Sequence, residues 1–154
     1  NNITTRIAIG HSKPQQIVRS HYACSLIIKQ SHIFHSTDII MLKICLDIHL
    51  NSHSDLTANG TEVIIANDAT DFEINIAVRL LNATAQALQT NIRGIKSESN
   101  TPHHRLAMLH LNCQNIILEV CFCTNPDDGK RYTNNFEQLA QAIARTLAEN
   151  IVIP

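Results

Sequence analysis

Between Gln114 and Asp127 the chain reads Asn115-Ile116-Ile117-Leu118-Glu119-Val120-Cys121-Phe122-Cys123-Thr124-Asn125-Pro126, an apolar stretch interrupted by one carboxylate and closed by an Asn-Pro turn. A run this continuously apolar reads as a strand buried on both faces. Glu119 is the only charged residue between Arg105 and Asp127. A buried carboxylate without compensation costs several kcal/mol or stays protonated, so Glu119 requires a cation, a metal-bound water or a cluster of donors. The plain alternative is a structural glutamate at a strand end, paired with an Arg or Lys.

The segments around this strand alternate in type. Arg6-Ile7-Ala8-Ile9 is a short apolar run ending at Gly10-His11, which places His11 at the C-terminal edge of a strand, where α/β sheets bind ligands. The spacing of Tyr22 and Leu26, with Ala23 and Ile27 beside them, predicts a helix over His21–Gln30, with Ser20 as its N-cap and His21 in its first turn. His32–His35 reads as a short strand and Thr37–Lys43 as a helix. From Leu46 onward Ile44–Asn51 alternates, setting Asp47, His49 and Asn51 on one face of a strand and Leu46, Ile48 and Leu50 on the other. Thr61–Ala66 is a further strand. Asp71–Thr90 is the longest helix, capped by Thr70 or Asp71, and Asn91–Pro102 reads as a polar loop. Arg105–Leu111 is a short strand or helix, Asn125-Pro126 starts a helix, and Phe136, Leu139, Ala140, Ile143, Ala144, Leu147 and Ile151 mark a C-terminal helix. Strands alternating with helices of this length imply one α/β domain over residues 1–154, with a mostly parallel or mixed sheet. His11, His49 and Glu119 would then gather at strand ends.

Composition narrows the partners. With 12 basic and 13 acidic residues, net charge −1 and no basic run, there is no footprint for nucleic acid. No apolar segment approaches the roughly 18 to 20 residues that span a bilayer, and Asn1–Arg6 lacks the regions of a signal peptide. Five cysteines without a CxxC pair argue against a full disulfide framework and a cysteine-rich zinc site, and most read as small buried hydrophobes. Nine histidines are the anomaly. A lone histidine is usually an ordinary hydrogen-bonded residue, which is the reading for His32, His35, His53, His103, His104 and His110.

In order along the chain, Ile7-Ala8-Ile9-Gly10-His11, Leu46-Asp47-Ile48-His49-Leu50-Asn51, Asn59-Gly60-Thr61-Glu62-Val63, Arg93-Gly94-Ile95-Lys96 and Leu118-Glu119-Val120-Cys121-Phe122 with Thr124-Asn125 resemble the zinc-dependent N-acetylmuramoyl-L-alanine amidases of bacterial autolysins and phage endolysins. The resemblance spans Ile7 to Ile151 and is most specific from Arg93 onward. It implies a sheet of about six strands flanked by helices, a zinc site of His, Glu and His, and a further glutamate as catalytic acid/base. His11 matches the first ligand, His49 the last, and Glu119 the catalytic glutamate. No glutamate precedes Glu62, so the second ligand departs from the family pattern. His21 falls where it would stand, with Asp38 or His35 as alternatives. Three neutral imidazoles would leave the site at a formal +2 and bound water more acidic than beside a glutamate. Cys121 replaces the glycine usual after Glu119-Val120, and the segment between Gln30 and Cys45 is short for the family.

The resemblance implies hydrolysis of the bond between N-acetylmuramic acid and the L-alanine of the stem peptide. Glu119 takes a proton from a zinc-activated water and returns it to the departing alanine nitrogen. Asn51, Lys96 and Arg105 are candidates for orienting the peptide or its carboxylates. Peptidoglycan is the expected partner, the bacterial cell wall the expected place of action, and a monomer the expected state. Two other readings are a zinc peptidase of similar architecture and a zinc-free peptidoglycan-binding module.

Overall fold

In the computed structural model, which describes residues 23–29 and 43–151, the apolar run is the central strand of a five-stranded sheet. The strands are β1 (Ala23–Lys29), β2 (Lys43–Asn51), β3 (Thr61–Ile65), β4 (Ile92–Ser97) and β5 (Gln114–Phe122). Their order is β1-β2-β5-β3-β4. β5 pairs parallel with β2 and antiparallel with β3, while β1 lies antiparallel on β2 and β4 parallel on β3. The sheet is therefore mixed, with five described strands against the six expected.

Alternation along the strands separates the two faces. Leu46, Val63, Ile116, Leu118 and Val120 pack in one core with Ile76, Ala77, Leu80 and Leu88 of α1 (Asp71–Leu88) and Leu139, Ile143 and Leu147 of α3 (Phe136–Ile151). Each fully buried Leu or Ile contributes about 1.5–3 kcal/mol, so this layer is the main stabilising element. On α3 the buried stripe is narrower than the spacing suggested: Leu139, Ile143 and Leu147 face the core, whereas Phe136, Ala140 and Ala144 are exposed. On the opposite sheet face, Ile64 and Ile117 are covered by Leu109 with Leu106 and Met108, at the end where β5 begins.

Local chemistry fixes the ends of these elements. Thr70 caps α1 in a capping box: its hydroxyl accepts from Glu73 N–H, and the Glu73 carboxylate accepts from Thr70 N–H. The second Glu73 oxygen accepts from Asn115 N–H at 2.6 Å, tying the helix start to β5. Asn125 caps α2 (Pro126–Asn134), with proline at the start of the helix where its missing N–H costs nothing. Asp128, fully buried in α2, accepts from Gly60 N–H at 2.8 Å and Phe122 N–H at 3.0 Å. Gly60 has φ +104°, and a Cβ there would meet the Asn91 carbonyl at 2.5 Å, so the turn into β3 requires glycine. Asp128→Ala leaves two buried N–H groups unpaired and is expected to cost about 3 kcal/mol in urea unfolding; an unchanged midpoint would show that water replaces the carboxylate.

Three expectations change. Ala23–Lys29 is a strand paired antiparallel with β2, at the edge of the sheet among the described residues, not part of a helix. Ile92–Ser97, read as loop, is the edge strand β4. Cys45 and Cys113 form a disulfide, while Cys121 is a buried free thiol and Cys123 an exposed one. Arg105–Leu111 contains a 3-10 turn at Ala107–His110. Among the described residues no helix is long and apolar enough to cross a membrane.

Candidate active site

The sheet register brings three charged or ionisable side chains side by side. His49 on β2 is the register partner of Glu119 on β5, and Glu119 is in turn the partner of Glu62 on β3. All three lie on the face opposite the helices, because the alternation that buries Leu118 and Val63 against α1 turns their neighbours outward. Neighbouring strands are about 4.8 Å apart, so the row is a close-packed polar seam across the sheet centre.

Glu119 Oε2 is buried and, among the described residues, has no hydrogen-bond partner. Burial pushes the Glu119 carboxyl above its ordinary range; His49 and Lys96 pull it down, while Glu62 and Asp47 add to the rise. A glutamate shifted upward in this way holds a proton more readily than an ordinary carboxylate. His49 Nε2 lies 2.8 Å from Asp47 Oδ2, two residues earlier on the same strand face. Beyond this contact with Asp47, Nε2 has no further partner among the described residues. The Asp47 contact, opposed by burial and reinforced by the charges of Asp47 and Glu119, holds the His49 pKa above its ordinary value.

Glu62 is the best-satisfied member of the row. Its Oε2 receives Arg93 Nε and Lys96 Nζ, each at 2.7 Å, and its Oε1 receives Asn51 Nδ2 at 3.0 Å. Burial would push this carboxyl up, but the hydrogen bonds and charges of Lys96 and Arg93 outweigh it and hold Glu62 below the usual range. Arg93 also stacks over the Phe122 ring, 4.8 Å from its centroid.

The structure thus gathers His49, Glu119, Asn51 and Lys96. Arg105 is elsewhere: it lines a cleft with Asp68, Glu73, His110 and Gln114, at the opposite end of β5. His11 and His21, with Asp38 and His35, lie outside the described residues. Among the described residues no group of three His, Cys, Asp or Glu side chains is arranged to hold a metal. Sequence reasoning did not single out Asp47, Glu62 and Arg93 for the site. The signal for Asp47 was its i, i+2 spacing to His49; the roles of Glu62 and Arg93 depend on β3 lying next to β5 and β4, which no local pattern shows.

Compared with known proteins, the chain matches the N-acetylmuramoyl-L-alanine amidase family model over residues 32–149. The chain belongs to this amidase family. The fold of the chain is similar to that of the catalytic domain of CD27L endolysin targeting Clostridia difficile (TM-score 0.58, 20% identity, covering 71% of this chain and 56% of that one). It is also similar to an N-acetylmuramoyl-L-alanine amidase from Clostridium difficile 630 (0.57, 27% identity, 69% and 56%). A third similar structure is the catalytic domain of CwlV, an N-acetylmuramoyl-L-alanine amidase from Bacillus (Paenibacillus) polymyxa var. colistinus (0.54, 23%, 69% and 56%). The chain spans little more than half the length of these structures. No curated protein matches it by sequence.

Proposed function

We propose that this amidase-family chain hydrolyses the amide between N-acetylmuramic acid and the L-alanine of the peptidoglycan stem peptide, with zinc as its metal. The observation that carries this reading is the pairing of Glu119 with His49, in which a buried, unpartnered carboxylate oxygen faces the neighbouring strand's imidazole. A partly buried carboxylate with an unsatisfied oxygen, beside an imidazole whose Nε2 is held by Asp47, suits a cation as neighbour. Asp47 beside the His49 ring fits the carboxylate that metal-binding histidines commonly keep. His49 would hold the zinc together with His11 and His21. When bound, the ion would supply Lewis acidity to the scissile carbonyl and the attacking water.

The chain's own groups manage the proton. Glu119, ionised, accepts the proton of the attacking water and, once neutral, donates it to the alanine nitrogen as the bond breaks. Its raised pKa serves both halves, since a carboxyl far below neutrality would be a poor donor to the leaving amine. Glu62, saturated by three donors, does not compete for that role. The Cys45–Cys113 disulfide fits an oxidising compartment, in keeping with action at the cell wall.

Purified peptidoglycan distinguishes the readings. An amidase frees the amino group of L-alanine, a zinc peptidase frees other amino termini, and a binding module sediments with the wall without releasing either. Release of no L-alanine amino termini by zinc-supplemented protein would reject the proposal. For the metal, His49→Ala is expected to weaken zinc binding by roughly 100-fold or more, read by elemental analysis after dialysis. Retention of one zinc per chain would remove His49 from the ligand set.

A further inference from the structure

Two cations share one carboxylate beside Glu119. Glu62 carries a single negative charge, its Oε1 is taken by Asn51, and both Arg93 and Lys96 converge on Oε2. Taken alone the trio carries one positive charge in excess, which Lys96 shares with the neighbouring Glu119 carboxylate. Glu62 is only 6% exposed at its side chain, whereas Arg93 and Lys96 are 35% and 36% exposed, so the anion is sealed in and the cations remain reachable. Arg93 is held from three sides, by Glu62 at Nε, by the Asn59 carbonyl at Nη1 (3.3 Å) and by the Phe122 ring. Two of the five N–H groups of the guanidinium serve those bonds, which leaves donors for a ligand. Restraint of this kind lowers the entropy lost on binding, especially for a lysine or arginine with many rotamers.

We propose that Arg93 and Lys96, fixed by Glu62, form a receptor for a free carboxylate on the peptide side of the cleaved bond. This rests on the amidase reading and assigns the substrate feature that the site selects. Lys96 Nζ lies within 2.7 Å of Glu62, and so over β3, one strand of about 4.8 Å from β5 and Glu119. An extended peptide advances about 3.3–3.6 Å per residue, so a carboxylate one or two residues beyond the amide held at Glu119 reaches the cations. A carboxylate there takes up the donors that Arg93 and Lys96 keep exposed. A primary amide in its place forfeits the charge-assisted bonds.

The test uses two defined substrates, N-acetylmuramoyl-L-alanyl-D-glutamate with its γ-carboxyl blocked as the amide and its α-carboxylate free, and the same compound with the α-carboxyl amidated as well. The unaltered protein, loaded with zinc, is expected to prefer the free carboxylate by about tenfold or more in kcat/KM, chiefly through KM, and to lose much of that preference as salt is raised. In Lys96→Met the ratio is expected to fall close to one, and in Lys96→Arg to recover. Equal rates on the two compounds in the unaltered protein, or a salt-insensitive preference, overturn the receptor, and neither measurement depends on a variant folding. A preference retained in folded Lys96→Met also overturns it. Cleavage of neither compound at the muramoyl amide contradicts the amidase reading itself, a separate outcome from cleavage of both without discrimination.

Discussion

Glu119→Gln is expected to lower kcat/KM for muramoyl-amide hydrolysis by roughly 10³-fold, about 4 kcal/mol of transition-state stabilisation. The substitution keeps the shape of the side chain and removes the group that accepts and returns the proton. General acid–base assistance contributes about 10²–10⁴-fold, which sets the scale. Stability should move the other way or not at all. Glu119 is half-buried on the central strand, its Oε2 lacks a partner, and Glu62 and Asp47 repel its charge, so a neutral amide relieves electrostatic strain. The variant should therefore unfold at the same or higher urea concentration while failing to turn over. Loss of activity together with loss of fold would instead mark Glu119 as structural, and full activity would remove it from the chemistry.

Cutting the Cys45–Cys113 disulfide is expected to produce the largest stability change. The bond closes a loop with a sequence separation of 68, pinning β2 to the segment just ahead of β5 where Cys45 faces the Asn115 register position. Chain-entropy arguments assign such a loop about 4 kcal/mol, which for a chain of this size corresponds to a melting-temperature drop of roughly 10 °C. Cys113→Ser should melt near the reduced parent and be indifferent to added reductant. A variant that melts with the oxidised parent would show that the strand pairing is held without the crosslink.

Where local pattern and final environment agree, the sequence was readable. The run through Glu119 is a doubly buried strand because its apolar residues serve both faces, and Asp47, His49 and Asn51 share a face because strand alternation leaves no other arrangement. Thr70 and Asn125-Pro126 act as helix starts through bonds made within a few residues. Misreadings arose where long-range pairing overrode local periodicity. Ala23–Lys29 is only seven residues long, too short to separate helical spacing from alternation, and pairing with β2 decides it. Arg93, Gly94 and Lys96 lend β4 the composition of a loop, which an exposed edge strand beside β3 tolerates. The crosslink and the bonds of Glu62 to Arg93 and Lys96 each join residues more than 30 positions apart, beyond the reach of spacing rules. The placement of His49 and Glu119 on neighbouring strands was legible from strand pattern and family resemblance together.

Oxygen-isotope tracing of the products shows most directly which bond the chain hydrolyses. Zinc-loaded protein incubated with a muramoyl peptide in 18O-labelled water should place one labelled oxygen in the lactyl carboxylate of N-acetylmuramic acid and leave the stem peptide unlabelled, with an unmodified L-alanine amino terminus. Glu119→Gln, carrying the same zinc, should yield neither product over the same interval. Label appearing in a peptide carboxylate, with the muramoyl amide intact, would contradict the account.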